Sequence, residues 1–209
     1  MTQPVPRWLA AYATPPARAP QKAPPASGVL LVERWDIPQE LRNHHAWACW
    51  RYSYDLQRWS KPPYQPSGVR AEASDSSTWS SFDDAYHAYQ DRASPEEGGR
   101  PYDGVSFALD LRWGIVGVDL DHISEHRLEA DKIVRALNSY TEYSPSRDGY
   151  RIFLRGTLPE GRRRRGWVEM YSQRRFLTVT GHKLAAAPPY LTSSHNLYAV
   201  WDRWLNRGG

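Results

Sequence analysis

An α+β fold is predicted for this chain of 209 residues, and three observations carry the prediction. Residues 104–109 and 114–121 are short apolar runs with period-two alternation, as strands have. Residues 78–92 and 124–139 place apolar side chains at i, i+3, i+4 and i+7, as helices do. Aromatic and β-branched stretches at 46–54, 150–154 and 168–181 supply further strands.

Taken in order, residues 1–28 hold seven prolines, much alanine and no acid, so they form a disordered arm and the domain proper spans 29–209. Pro38 opens a short helix over 38–42, with Asp36 as its cap. The strand 46–54 leads into Arg58-Trp59-Ser60-Lys61-Pro62-Pro63-Tyr64, where the prolines force an extended loop. The helix 78–92 takes its cap from Ser76, Ser77 or Thr78 and buries Trp79, Phe82, Ala85, Tyr86 and Tyr89. Residues 94–102 are a Gly/Pro loop.

The runs 104–109 and 114–121 are read as a hairpin across 110–114. In the second run Val116, Val118 and Leu120 face one way, and Asp119 and Asp121 the other. The two carboxylates lie about 7 Å apart along the strand, a spacing that suits two divalent ions about 3.5–4 Å apart. An acidic surface strand has the same pattern. A helix from Ser124 to about residue 139 follows, so the Asp pair lies at a strand-to-helix junction, where α/β sheets hold ligands.

The turn Ser144-Pro145-Ser146-Arg147-Asp148-Gly149 leads into the strand 150–154 and offers a hydroxyl, amide N–H groups and, with Arg151, two guanidinium groups to a phosphate. Arg162, Arg163, Arg164 and Arg165 form a basic run, either a solvated patch or a contact for a nucleic-acid backbone. Residues 168–171 and 175–181 are read as a hairpin with a tight turn at 172–174. Alternation puts Glu169 and Tyr171 opposite Val168 and Met170. Glu169 is a third candidate metal ligand, or else an ion-pair partner of Arg174 or Arg175. A terminal helix, 195–205, packs Leu197, Val200, Trp201 and Trp204 onto the sheet.

Charge is unevenly placed. Residues 143–183 hold ten basic and three acidic residues, a net +7, against 17 basic and 20 acidic residues, a net −3, elsewhere. That imbalance points to a polyanionic partner. One cysteine, Cys49, excludes an internal disulfide framework and a cysteine zinc ribbon. No apolar run reaches 18 residues, so no membrane helix is predicted, and a cytoplasmic monomer is expected.

Acids for metals, a Ser/Arg turn for phosphates and a basic surface are the parts of a nucleotidyl-transfer site. In this chain they occur in a recognisable order: Ser60-Lys61-Pro62-Pro63-Tyr64, Thr78-Trp79, the strand 104–109, Val118-Asp119-Leu120-Asp121-His122, Tyr143-Ser144-Pro145-Ser146 with Gly149, Glu169-Met170-Tyr171-Ser172, and the strand 175–181. The set covers about residues 35–182 and resembles the primase-polymerase branch of the archaeo-eukaryotic primase superfamily, as found on phages, plasmids and integrated elements.

The resemblance implies an RRM-like catalytic subdomain beside a smaller N-terminal α/β subdomain, and a template-directed nucleotidyltransferase that makes or extends primers by a two-metal mechanism with Mg²⁺ or Mn²⁺. It implies Asp119, Asp121 and Glu169 as metal ligands and catalytic residues. It gives Ser146, Arg147 and Arg151 to the triphosphate, and Lys61, Arg175, Thr180 and His182 to nucleotide or template contacts. Arg162, Arg163, Arg164 and Arg165 would track the template. The implied partners are single-stranded DNA template and primer, a nucleoside triphosphate and a helicase in cis or trans. One position departs from the family: its second motif commonly ends in histidine, and this chain has Arg151. Arginine binds phosphate but cannot shuttle protons near neutrality; His122 and His182 are the nearby imidazoles. The rival reading is a non-catalytic nucleic-acid-binding replication accessory that kept the fold, and a third is a metal-dependent nuclease.

Overall fold

A computed structural model describes residues 29–55, 58–91 and 102–207; the predicted N-terminal arm and nearly all of the 94–102 loop lie outside the described residues. Helix α1 is Gln39–Arg42, followed by β1 (Trp47–Trp50), β2 (Ser53–Asp55), β3 (Arg58–Ser60), β4 (Pro63–Tyr64) and α2 (Phe82–Gln90). Then come β5 (Gly104–Leu109), β6 (Ile115–Asp121), α3 (Arg127–Leu137), β7 (Tyr140–Tyr143) and β8 (Gly149–Arg155). The chain continues through β9 (Arg164–Arg165), β10 (Val168–Tyr171), β11 (Arg175–Val179) and α4 (Leu197–Trp201), with a π-helical extension, Asp202–Arg207.

The strands form a four-stranded sheet ordered β11-β5-β1-β4, a five-stranded sheet ordered β7-β8-β6-β10-β9, and the separate hairpin β2-β3. All pairings between these strands are antiparallel. The α+β class holds.

Neither predicted hairpin forms. β5 pairs with β1 and β11, while β6 pairs with β8 and β10. The chain leaves the four-stranded sheet after Leu109, turns through a 3-10 segment ended by Gly114 in the left-handed region (φ 57°), and enters the five-stranded sheet. It crosses back between β10 and β11, where Arg174 is left-handed (φ 51°). Two such corners, packed side by side, join the sheets. A hairpin turn and a sheet-to-sheet corner need the same local residues, and only the long-range pairing separates them.

Other boundaries move for local reasons. Residues 58–64, read as a loop, supply β3 and β4, and the strand expected over 46–54 breaks at 51–52. Helix α2 begins after Ser81, whose hydroxyl accepts the Asp84 amide at 3.1 Å. The earlier Ser76–Thr78 segment is a separate 3-10 turn capped by Asp75, and Trp79 is buried outside the helix. Pro38, not Asp36, holds the N-cap position of α1. Helix α3 starts three residues late because the Ser124 amide donates to Asp148 at 3.0 Å. Strand β7 is an addition to the elements expected from sequence.

Two cores result. Val116, Val118 and Leu120 of β6 join Val168, Met170 and Ile152 beneath α3 and α4. On the opposite face, Ile115, Phe153 and Tyr140 pack against Trp47, Phe107, Leu177 and α2, fusing the two sheets. The approach is closest at Gly117, where a Cβ would lie 2.4 Å from a Leu177 methyl. That face of β6 therefore has two halves, an apolar half under the four-stranded sheet and an acidic half beyond its edge. The expected junction argument, framed for parallel sheets, does not apply. Face and register place the acids.

Candidate active site

The antiparallel register sets one row of charged residues across the five-stranded sheet. Arg164 on β9 pairs with Glu169 on β10, Glu169 with Asp119 on β6, Asp119 with Arg151 on β8, and Arg151 with Glu142 on β7. Directly opposed residues have Cβ atoms about 4.5–5.5 Å apart, so each side chain meets its neighbours. Asp121 lies two positions further along β6 on the same face.

Burial differs along the row. Asp119, Arg151, Glu169 and Glu142 are all at most 5% exposed, whereas the Asp121 side chain is 43% exposed. Arg151 Nη1 donates to Asp119 Oδ1, and its Nη2 stands 4.0 Å from Asp121 Oδ1. Glu169 is held by Arg164 at 3.1 Å, by Arg175 at 3.0 Å and by the Tyr171 hydroxyl at 2.8 Å. The ion pair foreseen for Glu169 across the turn thus exists, with Arg175.

Asp119, Asp121 and Arg151 floor a cleft of about 580 Å³. One wall is Trp59, Ser60, Lys61 and Pro63, and the other is the start of β11 from Arg174 to Thr178. The Lys61 ammonium lies 5.6 Å from the rings of both Trp50 and Tyr52. Three buried polar atoms of this lining, Arg151 Nε, Thr178 Oγ1 and Trp59 Nε1, have no hydrogen-bond partner among the described residues. Unpaired buried donors in a lining with four cationic side chains, Lys61, Arg151, Arg174 and Arg175, suit a polyanionic ligand.

Of the residues singled out in the sequence, Asp119, Asp121, Arg151, Lys61 and Arg175 meet in this cleft. Ser146 and Arg147 are exposed on the β7–β8 turn and do not line it. Thr180 donates its hydroxyl to Tyr143 O at 2.7 Å, and His182 Nε2 bonds to Leu31 O at 2.7 Å; both tie down the chain after β11. Arg162 and Arg165 are exposed, Arg163 is half-buried and Arg164 is spent on Glu169. The basic window is therefore partly neutralised within the fold, since Arg155 also pairs with Glu40 at 2.7 Å. Sequence reasoning missed Trp59, Thr178 and Glu142 as parts of the site. A lone hydroxyl at Thr178, two residues before Thr180 in an apolar strand, was the available signal.

The donor set fits a hard divalent cation. Asp119, Asp121 and Glu169 offer only oxygens, as Mg²⁺ and Mn²⁺ prefer, and their crowding is visible electrostatically. Burial pushes the Asp119 carboxyl up to about 6; Arg151 and Lys61 oppose this, and Asp121 and Glu169 add to it. Among the described residues no three His, Cys, Asp or Glu side chains converge as a ready metal cage. The reason is visible in the row, where arginines hold Asp119 and Glu169.

These shifts predict a pH profile. Burial raises Asp119 from 3.8 to about 6 and Glu142 from 4.5 to about 7. Between those limits the folded protein keeps protons that the unfolded chain has released. The stability that these groups contribute is therefore full below about pH 4 and is lost as the pH rises to about 7, on the order of 3 kcal/mol for each group. Urea midpoints should fall between about pH 5 and pH 8; a rising profile contradicts the assignment.

No family model matches the chain. A DNA primase-polymerase of Nitratiruptor phage NrS-1 is 28% identical over 160 residues, which cover 70% of this chain and 21% of the phage protein. The chain thus spans about a fifth of the length of that relative. Together with the motif order, this similarity supports a primase-polymerase domain in the chain.

Proposed function

We propose that the chain is the catalytic part of a template-directed, Mg²⁺- or Mn²⁺-dependent DNA primase-polymerase. The observation that carries this reading is the meeting of Asp119 and Asp121 with Lys61, Arg151 and Arg175 in one cleft, with Glu169 beside Asp119 in the same row.

In this reading Asp119, Asp121 and Glu169 hold the metal ions. Once bound, the ions supply Lewis-acid activation of the primer 3′-hydroxyl and charge neutralisation on the leaving pyrophosphate. Lys61, Arg151 and Arg175 hold the triphosphate of the incoming nucleotide, where arginine forks match phosphate oxygens in pairs. Trp59 and Phe176 flank the space left for sugar and base. The 3′-hydroxyl gives up its proton to solvent, and its oxygen bonds to the α-phosphorus as the bond to the bridging oxygen breaks, so pyrophosphate departs. Thr180 and His182 position β11, and Arg162, Arg163 and Arg165 contact the template backbone. The five-stranded sheet with α3 and α4 acts as the RRM-like catalytic unit, and the four-stranded sheet with α2 as the smaller one, although β11 comes from the C-terminal half. Partners are a single-stranded template with its primer, and a helicase in cis or trans.

The deciding experiment uses a 5′-labelled primer on a longer template, with Mg²⁺ or Mn²⁺ and nucleoside triphosphates. Lengthened primer with the wild type and none with Asp119→Ala/Asp121→Ala is expected. Shortened primer would identify a nuclease, and salt-sensitive binding without incorporation a non-catalytic accessory. Equal extension by wild type and double variant would overturn the assignment of the acids.

A further inference from the structure

Among the described residues, Arg151 is the buried cation set against Asp119 and Asp121, two of the acids assigned to the metals. Its side chain is 6% exposed, with Asp119 as strand partner on one side and Glu142 on the other. Nη1 donates to Asp119 Oδ1 and, at 3.3 Å, to Tyr150 O, and Nη2 faces Asp121 at 4.0 Å. One guanidinium thus engages both acids of the pair. An arginine cannot relieve the conflict with an arriving metal ion by losing its proton. It must move.

A second observation shows what would receive it. Arg151 Nε is buried and has no hydrogen-bond partner among the described residues. The edge formed by Nε and Nη2 is the one that matches two oxygens of a phosphate, and Arg151 itself lines the cleft that also holds Lys61 and Arg175.

We propose that Arg151 is a resident counter-ion: it neutralises Asp119 and Asp121 until a divalent cation takes them, and the incoming triphosphate then takes the guanidinium. This rests on the nucleotidyl-transfer reading. Its consequence is cooperative loading. The metal alone competes with Arg151 and binds weakly; metal and triphosphate together satisfy every charge. By linkage each raises the affinity of the other by the same factor. A histidine at this position, as the family commonly has, would not impose the competition when neutral.

The test measures Mn²⁺ binding to the full chain by electron paramagnetic resonance, without nucleotide. Arg151→Gln should bind Mn²⁺ alone about tenfold or more tightly than wild type, within the usual range of coupling between sites. Addition of a nucleoside triphosphate should sharpen Mn²⁺ binding less in this variant than in wild type. Equal or weaker Mn²⁺ binding by folded Arg151→Gln overturns the proposal. Should that variant fail to fold, the guanidinium ¹⁵N signal of Arg151 in wild type decides. It should move in two steps, on Mg²⁺ and again on triphosphate, and an Arg151 signal unmoved by saturating Mg²⁺ and triphosphate overturns the exchange. Primer extension by the wild type separates the two levels. An active wild type with uncoupled binding loses only the counter-ion role; a wild type that neither binds Mn²⁺ nor extends a primer removes the functional reading as well.

Discussion

Asp119→Asn should lower single-turnover nucleotide incorporation by at least about 10³-fold, roughly 4 kcal/mol of transition-state stabilisation, while leaving the melting temperature within a few degrees of wild type. The loss follows from the place of Asp119 at the centre of the row, where its oxygens face both the cleft and Glu169. Asparagine keeps the shape and removes the charge that a metal needs.

The small stability change follows from two opposing terms. Removing a buried carboxyl whose ionisation is disfavoured stabilises the fold above about pH 6. Losing the bond to Arg151 destabilises it, but the guanidinium keeps Asp121 and Glu142 as neighbours, so no buried charge is left without a counter-charge. Measured together, rate and melting curve separate lost chemistry from lost fold. A variant that melts far below wild type, or one that still incorporates at the normal rate, would contradict this account.

Much of this site follows from strand periodicity, and the rest depends on register. The split of β6 into Val116, Val118 and Leu120 on one face and Asp119 and Asp121 on the other needs only alternation, and so does the pairing of Glu169 with Tyr171. What alternation cannot supply is which strand lies beside which. Both expected hairpins are corners between sheets, because Gly114 and Arg174 provide left-handed turn residues that serve either purpose. In sequence Arg151 reads as a substitute phosphate ligand. Its bond to Asp119, 32 residues away, exists only because β8 pairs with β6 in one register. Strand β7 escapes a sequence reading because Glu142 resembles a surface residue when its partners are unknown, and its N–H donors come from residues 38 and 39 positions further on.

Those partners make Glu142 the second site of large effect. The Thr180 amide donates to its Oε1 at 2.8 Å; the Gly181 amide at 2.8 Å and the Tyr140 hydroxyl at 2.6 Å donate to its Oε2. The carboxyl group thereby clasps the end of β11, in the four-stranded sheet, to β7 of the five-stranded sheet. Glu33 N–H bonds to Thr180 O at 2.8 Å in the same knot, and Gly181 (φ 76°) has no room for a Cβ against the Glu33 backbone. At its other end β11 is fixed by the corner at 172–174. The clasp therefore sets how far the wall carrying Arg175 and Thr178 stands from Asp119.

Glutamine at position 142 has one acceptor oxygen where three donors converge, and its amide must face an N–H. Glu142→Gln is expected to cost about 2 kcal/mol at pH 5, read from urea denaturation, and to raise the apparent KM for nucleotide as the wall loosens. The pH dependence tests the cause. Burial raises Glu142 to about 7, so the wild type loses this group's contribution as the pH climbs from about 4.5, and glutamine has none to lose. The two stabilities should therefore converge between about pH 5 and pH 8. A gap that widens with pH would mean that Glu142 is stabilised as a carboxylate by its three donors, and that burial is the smaller effect.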